Sequence, residues 1–353
     1  RMRARINRWT PARRNLVFDD DIRTSLVQPH FVVAGKDVDQ PIPSMPGINR
    51  QSVDVLLKTI DLDMKMGLFS HMLFLVLDAE KKDPTASFAS NANSPLHEAI
   101  RALKKKYGGE IVIMTDLCLC TGTDHGHCGV IKRNNIENDE TVEHLVKIGM
   151  SHAKAGSDYI SASDMMDGRI ERLRGKLEEE GYHSTGLMSY SVKYASSFYG
   201  PFRDAAESSP EFGDRRSHQM DIRSGYSEAV MQARNDQSEG ADILMVKPGL
   251  PYLDVLRKVA DAVVRQLVVG GRHARPLPQP QVDAVGRLVV QVEVVRRHRR
   301  APCGVLKGRA RVVATFLVAL VRLRRRGGRR RWRRARRLAG RHRRQRWRRR
   351  EVD

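Results

Sequence analysis

Between about residue 22 and residue 262, short apolar runs alternate with longer stretches whose apolar positions recur at helical spacing. The runs Phe31–Ala34, Met72–Leu77, Ile111–Thr115, Asp158–Ser161, Gly186–Ser189 and Ile243–Val246 predict strands. The stretches Gln51–Lys65, Leu96–Lys106, Thr141–Ala155, Arg169–Glu180 and Ser227–Glu239 predict helices, and another begins at Tyr252. Strands alternating with helices of this length imply βαβ units and a parallel sheet. Six units in a row predict an α/β fold, a (β/α)8 TIM barrel cut short. A doubly wound open sheet is the structural alternative. It is weakened because no Gly-x-Gly-x-x-Gly turn follows the first strand. Residues 1–21 read as a basic, irregular N-terminal arm and residues 22–262 as the truncated barrel.

Composition changes the picture at the C-terminus. The chain of 353 residues carries a formal net charge of +22. Residues 265–353 hold 29 Lys+Arg against 4 Asp+Glu, which leaves 34 basic and 37 acidic residues before them. The barrel region is therefore near neutral, and the whole excess lies in the tail. That tail has no Ser, Tyr, Asn, Ile or Met, and Lys307 is its single lysine beside 28 arginines. A set confined to residues with GC-rich codons reads as translation out of frame, with a genuine basic appendage as the alternative. Arginine runs such as Arg322–Arg337 self-repel and are expected to be disordered. Non-specific nucleic-acid binding through the tail is a further alternative, and no specific nucleic-acid partner is expected. No apolar h-region is present, and the longest apolar run, Val312–Val321, is too short to span a bilayer. The expectation is a cytoplasmic protein with no membrane partner.

Three of the four cysteines fall within eleven residues, which suggests a metal site in a reducing compartment more than a disulfide framework. They lie in Asp116-Leu-Cys-Leu-Cys-Thr-Gly-Thr-Asp-His-Gly-His-Cys-Gly129. Thiolates favour zinc, and three protein ligands leave a fourth position open, as in a catalytic site. His125 or His127 could fill that position and make the site structural. Three unrelated buried thiols are the plain alternative.

Lys193 and Lys247 each end an apolar strand, where a buried ammonium is costly. A lone lysine is usually a solvated surface charge. Desolvation and a second nearby cation instead favour the neutral amine needed for Schiff-base chemistry. Arg203 and Arg215 flank the same region, and their guanidinium forks suit substrate carboxylates, although surface ion pairs are the commoner role.

These segments resemble those of the porphobilinogen synthase (delta-aminolevulinic acid dehydratase) family, in its zinc-dependent branch. The resemblance is carried by Ser44-Met-Pro-Gly47, the Cys118–Gly129 loop, Ser163-Asp-Met-Met-Asp-Gly-Arg169, Lys193-Tyr-Ala-Ser-Ser-Phe-Tyr-Gly-Pro-Phe-Arg-Asp204, Gly213-Asp-Arg215, Met245-Val-Lys-Pro248 and Pro251-Tyr-Leu-Asp254. It implies a hydro-lyase that condenses two 5-aminolevulinate molecules into porphobilinogen, in haem and porphyrin biosynthesis. Lys193 and Lys247 would hold the two substrates as Schiff bases. Cys118, Cys120 and Cys128 would hold the zinc. Arg203 and Arg215, with Gln219 nearby, would hold one carboxylate, and Asp116 and Ser163 would assist proton transfers. The resemblance also implies a homo-octamer using the N-terminal arm.

There are departures. Gln232 stands where many bacterial members carry a glutamate for an activating magnesium, which puts that Mg2+ site in doubt. Thr121, Gly122 and Asp124 replace the family's Pro, Tyr and Ser, and Ala162 replaces a proline. The Val-Ser-Gly-Glu-Tyr segment and late tyrosine that bind the other carboxylate have no match in residues 265–353. The last two β/α units are thus expected to be missing, replaced by the Arg-rich tail of residues 263–353. A barrel lacking two strands exposes two edges and would leave the chain inactive and aggregation-prone.

Overall fold

The computed structural model describes residues 3, 5–18, 22–269, 287–292 and 317–321. Six parallel strands follow one another around the sheet: β1 (Leu26–Val32), β2 (Ser70–Leu75), β3 (Val112–Leu117), β4 (Tyr159–Ala162), β5 (Gly186–Lys193) and β6 (Ile243–Lys247). The helices are α1 (Pro11–Phe18), α2 (Val53–Lys65), α3 (Pro95–Tyr107), α4 (Asn138–Ala155), α5 (Arg169–Glu179), α6 (Gly200–Ala205), α7 (Gly225–Glu239) and α8 (Leu253–Val269). All six expected strand segments are found, and the βα alternation is that of the predicted barrel. A small antiparallel pair, Asp39–Pro41 with Asn49–Gln51, extends the sheet beside β1.

Side-chain alternation along the strands sorts the core into two layers. Val27 and Phe31 of β1, Met72 and Phe74 of β2, Val112 and Met114 of β3 and Met245 of β6 meet in the barrel interior. Val32, Leu73, Leu75, Ile113 and Leu244 point the other way and pack under the helices with Leu56, Ile60, Leu103 and Leu145. Both faces of each strand are buried, as a parallel sheet requires.

Two expectations are corrected. The N-terminal arm is not irregular over residues 5–18. A 3₁₀ turn (Ile6–Arg8) leads into α1, and Ile6, Ala12, Leu16 and Val17 are buried in the interior cluster. The physical reason is closure: the strands' N-terminal ends expose apolar side chains, and this segment covers them. Arg13 reaches Asp158 at 2.7 Å, and Asn7 accepts from the Tyr159 hydroxyl at 2.8 Å. The second correction concerns the open barrel. Strand β7 (Arg287–Val292) pairs parallel to β6, and β8 (Leu317–Val321) pairs antiparallel to β7. Strand β8 also meets β1, at Leu26–Ala319 and Val27–Val318. The seventh and eighth places are therefore filled and the ring closes. Unpaired edges offer rows of backbone donors and acceptors, and valine-rich runs are suited to take them. The eighth strand runs against the other seven, so the last unit is not a β/α repeat. The rest of the expected tail, including the arginine runs, lies outside the described residues.

Candidate active site

The C-terminal ends of β2 to β6 converge on one cavity. It encloses about 420 Å3 when the open space of its mouth is included. Asp116, Cys120, Ser163, Lys193, Arg203, Arg215 and Lys247 all line it. Seven of the ten residues singled out in the sequence thus share one space. Cys118 and Cys128 lie behind Cys120, and Gln219 does not line the cavity.

Strand register explains the lysines. Lys193 and Lys247 are paired positions on β5 and β6, each the last residue of its strand. Both are buried, at 7% and 3% exposure. Lys193 donates from Nζ to the Ser163 carbonyl. Lys247 Nζ lies 4.3 Å from the Phe202 ring centroid, 5.1 Å from Tyr190 and 5.3 Å from Tyr199. Tyr190 also faces Lys193, at 5.5 Å. Aromatic faces attract a cation without neutralising it. This aromatic lining was not read from the sequence, although Tyr199 and Phe202 lie inside the motif that carries the resemblance. Burial, then the Cys120 sulfur, push the Asp116 carboxyl up to about 7, against the Ser163 hydrogen bond and the charges of Lys193 and Lys247. Asp116 can therefore exchange a proton near neutral pH.

The cysteine loop is built for convergence. Cys118 opens a 3₁₀ turn (Leu119–Thr121), and its sulfur accepts from the Cys120 amide at 3.5 Å. The three sulfurs lie within 4.8 Å of one another and are buried. Burial pushes the Cys118 thiol well up, while hydrogen bonds from Cys118 and Cys120 hold the Cys128 thiol well down. Three sulfurs this close cannot all be anions unaided, and a divalent cation among them would remove that restriction. The donor set fits a soft or borderline metal ion. Neither histidine of the loop joins the group: His127 Nε2 lies 2.8 Å from the Phe212 carbonyl, and His125 accepts from the His127 amide at 3.1 Å. Of the three, Cys120 lines the cavity.

Gly126 is required where it stands. Its φ is +69°, and a Cβ there would meet the Ser209 carbonyl oxygen at 2.2 Å. At Gly122 a Cβ would meet Ala86 Cβ at 2.8 Å, so a side chain there would require Ala86 to shift. Arg215 fastens the loop by donating to the carbonyls of Gly126, at 2.8 Å, and Ser208. Burial works against the Arg215 charge, but the Cys128, Cys120 and Cys118 sulfurs outweigh it and hold its pKa above the ordinary value. Burial, then Arg215, lower the pKa of Arg203. The Nε atoms of both arginines and both amide atoms of Gln219 are buried without a hydrogen-bond partner. Unmet donors on two adjacent guanidinium groups suit an incoming carboxylate. His218 is a neighbour that the sequence reading missed. Burial, then Lys193 and Arg215, push it down to about 4. Gln232 lies elsewhere, on α7, donating to Asp236 at 2.8 Å.

Two buried lysines at the C-terminal end of a β/α barrel, beside a metal-capable thiol cluster, make a site of the kind that suits Schiff-base chemistry. The sequence profile of the delta-aminolevulinic acid dehydratase family matches residues 1–301. The delta-aminolevulinic acid dehydratase of Methanothermus sociabilis is 45% identical over 239 residues, covering 68% of this chain and 73% of that one. That of Bacillus subtilis is 38% identical over 298 residues, covering 83% and 91%. The crystal structure of the Toxoplasma gondii ME49 enzyme, in complex with the reaction product porphobilinogen, superposes with a TM-score of 0.66 at 43% identity, covering 74% of each chain. The chain belongs to the delta-aminolevulinic acid dehydratase family. Among the described residues, no helix is long and apolar enough to cross a membrane.

Proposed function

We propose that this protein is a porphobilinogen synthase, a hydro-lyase of haem and porphyrin biosynthesis. It joins two 5-aminolevulinate molecules into porphobilinogen with loss of water. The observation that carries the residue assignment is the register pairing of Lys193 with Lys247 in one buried cavity. Each amine attacks the keto carbon of one substrate and forms an imine, and the carbonyl oxygen leaves as water. Arg203 and Arg215, with Gln219 beside them, hold one substrate's carboxylate, which their unmet donors support. Asp116, with Ser163 bonded to it, takes and returns the protons that imine formation and ring closure move. The aromatic rings around Lys247 exclude water and hold the amine in place.

Cys118, Cys120 and Cys128 would hold zinc, which supplies Lewis acidity toward the other substrate when bound there. Magnesium activation is not part of the reading, because Gln232 carries no charge for it. A cytoplasmic homo-octamer is part of it, and sedimentation of the purified chain checks the assembly. So are an arm to residue 21 and a stretch translated out of frame from residue 263 on, of which Arg287–Val292 and Leu317–Val321 take strand places in the barrel. Translating the encoding DNA in its other frames beyond codon 262 tests that boundary, because a Val-Ser-Gly-Glu-Tyr segment should appear there.

Borohydride reduction in the presence of 5-aminolevulinate should leave a covalent adduct on the Lys247 peptide, read by mass spectrometry. Folded protein that gives no adduct at either lysine rejects the assignment.

A further inference from the structure

We infer that His30, Asp63 and His71 form a second divalent-cation site, of structural type, that takes zinc or a similar borderline transition ion and fastens α2 to β1 and β2. The three residues come from separate elements. His30 lies on β1 and His71 on β2, both on the layer beneath the helices, and Asp63 lies in the last turn of α2. All are buried, at 4%, 0% and 7% exposure. His30 Nε2 is 3.0 Å from His71 Nδ1, and Asp63 Oδ2 is 3.6 Å from the first and 3.9 Å from the second. A tetrahedral ion with bonds of about 2.0–2.1 Å separates its ligand atoms by about 3.3 Å. The triangle is therefore close to one face of such a tetrahedron, with little movement needed.

As a metal-free cluster the same three groups satisfy one another badly. One histidine donates to the other, and that leaves Asp63 Oδ2 and His71 Nε2 buried without hydrogen-bond partners. An orphaned carboxylate oxygen in the interior is costly. Burial pushes the Asp63 carboxyl up to about 6 and the His30 imidazole down to about 3. A cation would take one lone pair from each of the three and balance the carboxylate charge. Two imidazoles with one carboxylate select zinc or its transition-metal neighbours over magnesium or calcium. Gln28, the register partner of His71, carries a buried Oε1 with no partner and is a candidate fourth ligand. His71 Nε2 lacks the acceptor that metal-bound histidines usually find, which lowers the expected affinity without changing the ligand count.

The test uses the full chain with Co2+ as the probe. A Cys118→Ser, Cys120→Ser, Cys128→Ser variant, stripped with a chelator, should bind one equivalent. Its absorption should show tetrahedral d–d bands without thiolate-to-cobalt charge transfer, and its Tm should rise with Co2+ concentration. Adding His71→Ala should abolish all three signals. The unmodified chain should bind two equivalents and its His71→Ala variant one, which decides the matter even if the cysteine-free chain does not fold. A cobalt count that His71→Ala leaves unchanged, or a folded cysteine-free chain that binds none, means a metal-free polar cluster and overturns the proposal.

Discussion

The two ends of the barrel treat buried polar groups in opposite ways. At the N-terminal end the buried carboxylates are matched to cations, although Arg13 and Arg174 each keep a buried Nε without a partner. Asp158 accepts from Arg13 at 2.7 Å, from Lys104 at 2.6 Å and from the Ile113 amide at 2.8 Å. Asp242 accepts from Arg174 at 2.6 Å and the Leu187 amide at 2.9 Å. At the C-terminal end two guanidinium groups line the cavity without a carboxylate: among the described residues neither Arg203 nor Arg215 has an ion pair, and each keeps a buried Nε without a partner. A matched network holds a fold together, whereas unmatched groups around a cavity are held for a ligand. Substitutions at the two ends should therefore fail differently.

The largest effect is expected at the open end. Lys247→Ala removes the amine at the centre of the aromatic lining and should lower kcat/KM for porphobilinogen formation by a factor on the order of 10⁴ or more. Its thermal unfolding should stay close to that of the parent, because a buried cation, costly to desolvate, has been removed. A variant that loses its fold in proportion to its activity would make Lys247 structural and collapse the contrast between the ends.

The next effect belongs to the sealed end. Asp158→Ala strands the Arg13 guanidinium, whose side chain is only 4% exposed. Breaking a buried pair in this way typically costs about 3–5 kcal/mol. Denaturant melts should show that loss, while kcat per folded molecule stays unchanged. A fall in kcat at full folding would mean that the plug of residues 5–18 communicates with the cavity.

How much of this was legible beforehand follows the same division. The six strands were visible because parallel strands are apolar on both faces, so a run of Ile, Leu, Met and Val suffices to mark them. Their ends were not. Strand β1 reads as starting at Phe31 because Gln28, Pro29 and His30 interrupt its apolar run, yet all three lie in the strand and pair with β2. Strand β5 reads as ending at Ser189, but its buried serines are hydrogen-bonded and it continues to Lys193. Helix α1 was missed because its burial depends on a barrel floor that only the tertiary structure supplies. The site's charged residues were legible by type and by position after strands. What no spacing could give was their convergence, which register sets, and the His30–Asp63–His71 cluster, whose members are 33 and 8 residues apart in the sequence.

A milder perturbation tests the loop between the ends. Gly126→Ala places a Cβ against the Ser209 carbonyl at a positive φ. The cost should be about 1–3 kcal/mol of local strain, felt in the cysteine loop and not in the barrel. The expected reading is weaker retention of metal by the thiol cluster, seen as faster zinc release to a chromogenic chelator, with Tm lowered only slightly. Unchanged release would show that the loop's backbone does not set the sulfur positions.

The smallest effect appears only in acid and concerns a group that belongs to neither end. His152 is buried on α4, 5.4 Å from the His97 ring, and neither of its ring nitrogens has a hydrogen-bond partner. Burial, then His97, push it down to about 3. An unfolded histidine titrates near 6.5, so as pH falls the unfolded chain takes up this proton first. The stability held at neutral pH is then lost progressively from about pH 6.5 down to about 3. At pH 5 the loss from this one group is about 2 kcal/mol. His152→Leu removes the titrating group and leaves no stranded partner, since none exists. The variant should match or exceed the parent's Tm at pH 7 and surpass it by a growing margin toward pH 5. Equal acid limbs in the two melting series would mean that His152 finds a partner on protonation, and that the interior between the helices is wetter than its packing indicates.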